Sequence, residues 1–194
     1  MEAMRAALIG LAFVSLAIGP AWPADRAQLF AQVEAARAIP EGAREPKRVL
    51  YVFFDANCYY CHLTWKALQP YEAAGLQVRW VPVAYQKASS AGMAAAILHA
   101  RDPAAALREN ETGYRAESYD GAIKPASVPA ETARALEANM KLMRALGAQG
   151  TPALVWKSER GVEFRNSVPR LSELPRITGL PRQKIDDPEL SQFR

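Results

Sequence analysis

Apolar and polar positions repeat along this chain in two rhythms, and each change of rhythm marks an element. Residues 25–38 place Leu29, Phe30 and Val33 on one side of a 3.6-residue repeat, which predicts a short amphipathic helix. Ile39-Pro40-Glu41-Gly42-Ala43-Arg44-Glu45-Pro46 breaks that repeat with turn formers and reads as a connector. Residues 48–54 hold the unbroken run Val49-Leu50-Tyr51-Val52-Phe53-Phe54, aromatic and β-branched, which predicts a buried strand. Helical spacing returns over 60–74 and stops at Gly75. A second strand is predicted over 76–85, with Val78, Trp80 and Val83 apolar. Pro82 has no N–H for a ladder and suggests an edge or an irregularity there.

The middle of the chain is helical. Residues 90–100 are Ala-rich, and Asp102-Pro103 restarts a helix through 108, with Asp as N-cap and Pro in the first turn. Residues 110–129 are polar and aromatic and read as a surface excursion, and 130–146 as a helix stopped by Gly147. Gly150-Thr151-Pro152 leads into a strand over 153–157. Ser158-Glu159-Arg160-Gly161 then turns the chain into a hairpin partner over 162–166. Residues 171–178 close the domain as a helix, and 182–194 read as a polar tail. The order is strand, helix, strand, helices, antiparallel hairpin, helix. It predicts one α/β domain over 48–181, preceded by a helix and connector over 25–47.

A chain of 194 residues that is half hydrophobic has material for a real core and is not a disordered segment. The net charge of +4 is spread among acidic neighbours, so no basic face for nucleic acid is predicted. The N-terminus reads as a targeting segment. Arg5 precedes an apolar stretch over 6–18, too short to span a bilayer comfortably, and Gly19 and Ala21 suit cleavage after Ala21. Cleavage after Ala24 is the alternative boundary for a signal over 1–24, and an uncleaved anchor is the alternative role, the only membrane contact expected. The mature chain is then exported to an oxidising compartment, a periplasm if the source is Gram-negative.

In that setting the two cysteines, both spent on Cys58-Tyr59-Tyr60-Cys61, become the candidate chemistry. The motif lies between a strand and a helix, as in a thioredoxin-type redox site. A helix N-terminus offers unpaired N–H groups and positive dipole to the first sulfur, and the thiolate is the attacking species. Cys58 is expected as the exposed nucleophile and Cys61, one turn in, as the buried resolving thiol. A loop this small staples almost nothing, so a catalytic pair fits better than a structural one. Thr151-Pro152, just before a strand, is expected as a cis-proline loop beside the sulfurs, presenting backbone to substrate. Tyr59 and Tyr60 are candidate substrate contacts, Trp65 packs in the core, and Asp55 caps a turn.

The segment from Phe53 to His62 resembles the active-site region of the DsbC/DsbG thiol:disulfide interchange family, DsbG more than DsbC. So do Ala94-Ala95-Ala96-Ile97-Leu98, Arg101-Asp102-Pro103-Ala104, the stretch from Asn139 to Ala148, Thr151-Pro152-Ala153 and Gly179-Leu180-Pro181. The resemblance implies a thioredoxin-like fold with a helical insertion and an isomerase or reductase acting on oxidised protein cysteines in the periplasm. It also implies Cys58 as nucleophile, Cys61 as resolving cysteine, Thr151-Pro152 as the cis-proline loop, no cofactor beyond the redox-active Cys58–Cys61 disulfide, and a DsbD-type membrane reductase as partner. Two departures are expected to matter. Only residues 25–47 stand where that family carries a dimerisation domain and linker. Tyr59-Tyr60 replaces the family's usual Pro-Tyr or Gly-Tyr, a pair that tunes the sulfur. Three rivals stay open: a DsbA-like net oxidase, a chaperone-like client binder, and a c-type haem protein using Cys58-Tyr59-Tyr60-Cys61-His62 with His62 as axial ligand. A zinc site is not expected from two cysteines and the separate His62 and His99. His62 is otherwise expected on the helix surface.

Overall fold

Five strands form one sheet: β1 (Ile39–Gly42), β2 (Arg48–Phe54), β3 (Leu76–Pro82), β4 (Ala153–Ser158) and β5 (Gly161–Asn166), in the order β1-β3-β2-β4-β5. The computed structural model describes residues 23–194. The signal expected over 1–24 therefore lies outside the described residues except for Pro23 and Ala24, which open helix α1 (Pro23–Ala35). β2 and β3 are parallel, joined by helix α2 (Tyr59–Ala73), and every other pairing is antiparallel. Among the described residues no helix is long and apolar enough to cross a membrane.

The apolar run of β2 explains why it lies in the middle. Side chains alternate across a strand, and here both faces are covered. Leu50, Val52 and Phe54 face a core shared with α2 and with helices α3 (Ser90–Leu98), α4 (Pro103–Thr112) and α6 (Leu174–Thr178). Tyr51 and Phe53 face a second core with Phe30 and Val33 of α1 and Leu142 and Met143 of helix α5 (Ala130–Ala145). β4 repeats the pattern, with Leu154 and Trp156 on the first side and Ala153 and Val155 on the second. The result is a helix–sheet–helix sandwich whose parallel strands end at the same edge of the sheet.

The connector expected over 39–46 is in part a strand. Ile39 and Glu41 of β1 point inward, and Ile39 pairs with Trp80 of β3. Pro and Gly weaken a strand pattern, and the second inward residue is a carboxylate, so the hydrophobic rhythm hides it. Glu41 accepts the indole N–H groups of Trp65 (3.0 Å) and Trp80 (3.1 Å). Gly42 takes φ +92°, and a Cβ there would come 2.5 Å from the Leu76 carbonyl oxygen, so only glycine closes this edge. β3 lies inside the sheet rather than at its edge. Pro82 is its last residue, beyond residues 77–80, which β1 pairs.

Three further expectations change. The helix over 171–178 is a 3-10 turn (Leu171–Glu173) followed by α6. The excursion over 110–129 is anchored inward, because Asn110 and Glu111 are fully buried in the last turns of α4. The tail over 182–194 ends in a 3-10 helix (Pro188–Phe193) with Leu190 fully buried. Its apolar residues are too widely spaced to show a period, so only docking onto α2 reveals their use.

Glu72, also buried on α2, lies beside β1. Burial and then the charge of Glu41 push its pKa up to about 8, with Arg108 opposing. The folded chain therefore keeps a proton that the unfolded chain loses above pH ~5. Stability conferred by that retained proton falls as pH rises from ~5 through ~8. Replacing Glu72 by Gln is expected to raise stability at pH 8 by about 1–3 kcal/mol, read as a higher urea midpoint, and to change little at pH 5.

Candidate active site

The site is built where β2 runs out. Asp55, Ala56 and Asn57 turn the chain, the Cys58 amide donates to the Asp55 carbonyl (2.9 Å), and Cys58 becomes the N-cap of α2 at φ −83° and ψ 112°. The Cys61 amide donates to the Cys58 sulfur at 3.3 Å, and the Cys61 and His62 amides both reach the Cys58 carbonyl at 3.0 Å. A cysteine thus fills the role usually taken by Ser or Asp at a helix start, and the orphan N–H groups stabilise negative charge on its sulfur.

The two thiols differ chemically more than they differ in exposure. Cys58 was expected to be exposed, yet it is 4% exposed against 1% for Cys61. Its cover is the Thr151–Pro152 loop, whose Thr151 carbonyl accepts from the Cys58 thiol at 3.4 Å. The peptide bond between Thr151 and Pro152 is cis. Hydrogen bonding from the Cys61 side chain draws the Cys58 pKa down against burial, helped by Thr151 and the Cys61 amide and opposed by the Asp55 charge. Burial pushes the Cys61 thiol well above its ordinary value, and its donation to Cys58 adds to that rise. The Cys58 sulfur therefore ionises more readily than an ordinary thiol, and its neighbour Cys61 less readily.

Asp55 does more than cap a turn. Fully buried, it accepts the Asn57 amide (3.0 Å) and Ser90 hydroxyl (2.7 Å) on one oxygen, and the Tyr85 (2.8 Å) and Gln86 (3.0 Å) amides on the other. The Tyr85 hydroxyl in turn accepts the Thr151 amide at 2.9 Å. A single chain of bonds thus ties the cysteine loop, the β3–α3 loop and the cis-proline loop together. Sequence reasoning missed Tyr85, because nothing local marks a tyrosine that acts across 66 residues.

The excursion after α4 closes the other side. The Tyr114 hydroxyl donates to the Asn57 carbonyl (2.9 Å), and the Asn110 side chain donates to the Ala56 carbonyl (3.0 Å). A Cβ on Gly121 would meet the Ala56 carbonyl oxygen at 2.4 Å, so only glycine permits this approach. The His62 ring stacks on Tyr114 with centroids 4.7 Å apart, and its nitrogens face Glu111 (3.4 Å) and Glu189 (3.8 Å). It is buried between these groups, not on the helix surface as expected. The aromatic residues noted in this stretch were the one signal that it was more than a loop.

Of the remaining candidates, Tyr60 is 54% exposed beside the sulfurs, and Tyr59 is half-buried against Tyr114 and Tyr119. Trp65 is in the core, as expected. His99 lies apart, paired with the Thr132 hydroxyl at 2.7 Å. Among the described residues no three His, Cys, Asp or Glu side chains converge as a metal-holding group. A cavity of about 380 Å³ opens beside the cysteines, lined in part by Tyr60, Thr151 and Pro152.

A sheet of this order, with a C-x-x-C at the N-terminus of α2 opposite a cis-proline, defines a thioredoxin-like protein. The chain belongs to that family: the family model described as thioredoxin-like domain matches residues 35–169. It is 32% identical over 155 residues to the thiol:disulfide interchange protein DsbG of Pseudomonas aeruginosa, covering 78% of this chain and 59% of that one. It is also 32% identical over 166 residues to DsbG of Escherichia coli, covering 84% of this chain and 60% of that one. The chain thus spans about three-fifths of the length of these relatives. In fold it is similar to a periplasmic thioredoxin-like protein from Salmonella enterica serovar Typhimurium, with a TM-score of 0.62 at 21% identity, covering 77% of this chain and 93% of that one.

Proposed function

We propose that the protein is an exported thiol:disulfide oxidoreductase that acts on protein cysteines as an isomerase or reductase in the periplasm. The observation that carries thiol exchange is the Cys58 sulfur at the N-cap of α2, 3.3 Å from the Cys61 amide and 3.4 Å from the Thr151 carbonyl, with Cys61 buried behind it. The similarity to DsbG supports the same class of chemistry.

In the reductive direction the Cys58 thiolate attacks one sulfur of a client disulfide. A new S–S bond forms, the client bond breaks, and its electron pair leaves on the second client sulfur, which takes up a proton. Cys61 then loses its proton and attacks Cys58. The client leaves as a thiol, reduced by two electrons, and the Cys58–Cys61 pair becomes a disulfide. A reductant, proposed to be a DsbD-type membrane protein, restores the dithiol. In isomerisation a client thiol displaces Cys58 instead, and no net electrons move. In this reading Thr151 and Pro152 meet an extended client segment, with Tyr59 and Tyr60 as further contacts.

A net oxidase is the second reading. The lowered Cys58 pKa favours it, because a stabilised thiolate stabilises the reduced form and makes the disulfide a stronger oxidant. Acid-trapping the protein in its native compartment and mass-tagging free thiols separates the two. A pair found mainly reduced is the expected result and supports the isomerase or reductase. A pair found mainly as the disulfide replaces that role with net oxidation.

A further inference from the structure

The cavity beside the cysteines has a wall that the redox chemistry does not require. Besides Tyr60, Thr151 and Pro152 it is lined by Val168 and by Phe193, from the far end of the chain. Phe193 is only partly buried: it packs against the main core and still borders the cavity. Among the described residues no charged side chain lines this cavity, and Asn166 and Ser167 are the polar side chains besides Tyr60 and Thr151. Thr151 belongs to both places, since its carbonyl accepts from the Cys58 thiol and its residue borders the cavity. A client segment joined to Cys58 and lying along Thr151 would direct a neighbouring side chain into this space.

The segment that brings Phe193 here is tethered to the helix that carries the cysteines. Lys66 of α2 bonds Asp187 at 2.6 Å and also the Glu189 carboxylate, which faces His62 of the same helix. Asp187 caps the terminal 3-10 helix by accepting the Glu189 amide at 2.9 Å, and Leu190 is fully buried beneath it. The position of Phe193 is therefore set relative to α2, and so to Cys58. Partly buried salt bridges of this kind contribute modestly to stability, but two of them with a buried leucine hold this segment on α2.

We propose that Phe193 is a specificity-determining residue: held by residues 186–194, it forms the cavity wall that selects clients with an apolar side chain next to the reacting cysteine. The proposal rests on the thiol-exchange reading above. Its ligand is an apolar side chain of an extended client segment, since a charged one would meet no opposite charge among the lining residues and leave part of its hydration behind.

Two peptides with a disulfide-linked reporter test it, identical except for Leu or Ser beside the reacting cysteine. The wild type is expected to favour the Leu peptide in kcat/KM. Phe193→Ala is expected to cut that preference about tenfold, chiefly by raising KM for the Leu peptide. The double variant Lys66→Met with Glu189→Gln keeps Phe193 but loosens its tether, and is expected to lower the preference in the same sense. The two peptides are compared on one protein sample, so a fraction that fails to fold cancels from the ratio. An unchanged Leu/Ser ratio in Phe193→Ala overturns the proposal while leaving thiol exchange intact. If the wild type exchanges with neither peptide, the thiol-exchange reading fails and this inference falls with it.

Discussion

Cys58→Ser is expected to lower turnover of a disulfide-bonded protein substrate roughly a thousandfold or more, the largest effect in the molecule. Serine cannot form the mixed disulfide, and its hydroxyl is not ionised at neutral pH. The fold should survive, because a serine oxygen accepts at a helix N-cap at least as well as the sulfur that receives the Cys61 amide at 3.3 Å. Cys61→Ser should behave differently. Its Cys58 still attacks, but nothing inside the protein releases the client, so a covalent client adduct accumulates and disappears on reduction. Intact-mass measurement without reductant checks both variants. Activity retained in Cys58→Ser would remove the redox reading and favour a client-binding protein, which needs no sulfur.

Asp55→Ala is expected to destabilise the protein by about 3–5 kcal/mol, read as a fall in the urea midpoint without a change in slope. Alanine leaves three backbone N–H groups and the Ser90 hydroxyl without their acceptor, inside the protein. Stranded buried donors are costly, because the unfolded chain satisfies them with water. Activity should fall further than stability explains. The Asp55–Tyr85–Thr151 chain places the carbonyl that lies 3.4 Å from the Cys58 sulfur. Asp55→Asn should be milder, since one amide oxygen still accepts while the NH₂ faces donors. A change below about 1 kcal/mol in Asp55→Ala would mean that the loops hold each other by packing alone.

Several features were legible from local chemistry. The run Val49–Phe54 read as a buried strand, and Leu50, Val52 and Phe54 face one core while Tyr51 and Phe53 face another. The Asp102-Pro103 pair opened α4 as a cap and first turn, with the Asp102 carboxylate accepting the Ala105 amide at 3.0 Å. β1 was not legible, because its inward positions are an isoleucine and a glutamate flanked by Pro40 and Gly42. Glu41 makes sense only once two tryptophans from other elements donate to it.

What the sequence by itself determined is the strand–Cys58-x-x-Cys61–helix unit, the hairpin after Thr151-Pro152, and with them the fold class. Each rests on residues close together in the chain: a period, a cap, a turn, a motif at a helix start. Tertiary structure alone decided that the Thr151 loop buries Cys58 instead of leaving it exposed, that Tyr85 and Asp55 join the loops, that His62 lies between Glu111 and Glu189, and that Phe193 borders the cavity. Those contacts join residues far apart in sequence. No local energy favours one partner over another until the sheet and its helices bring them within reach.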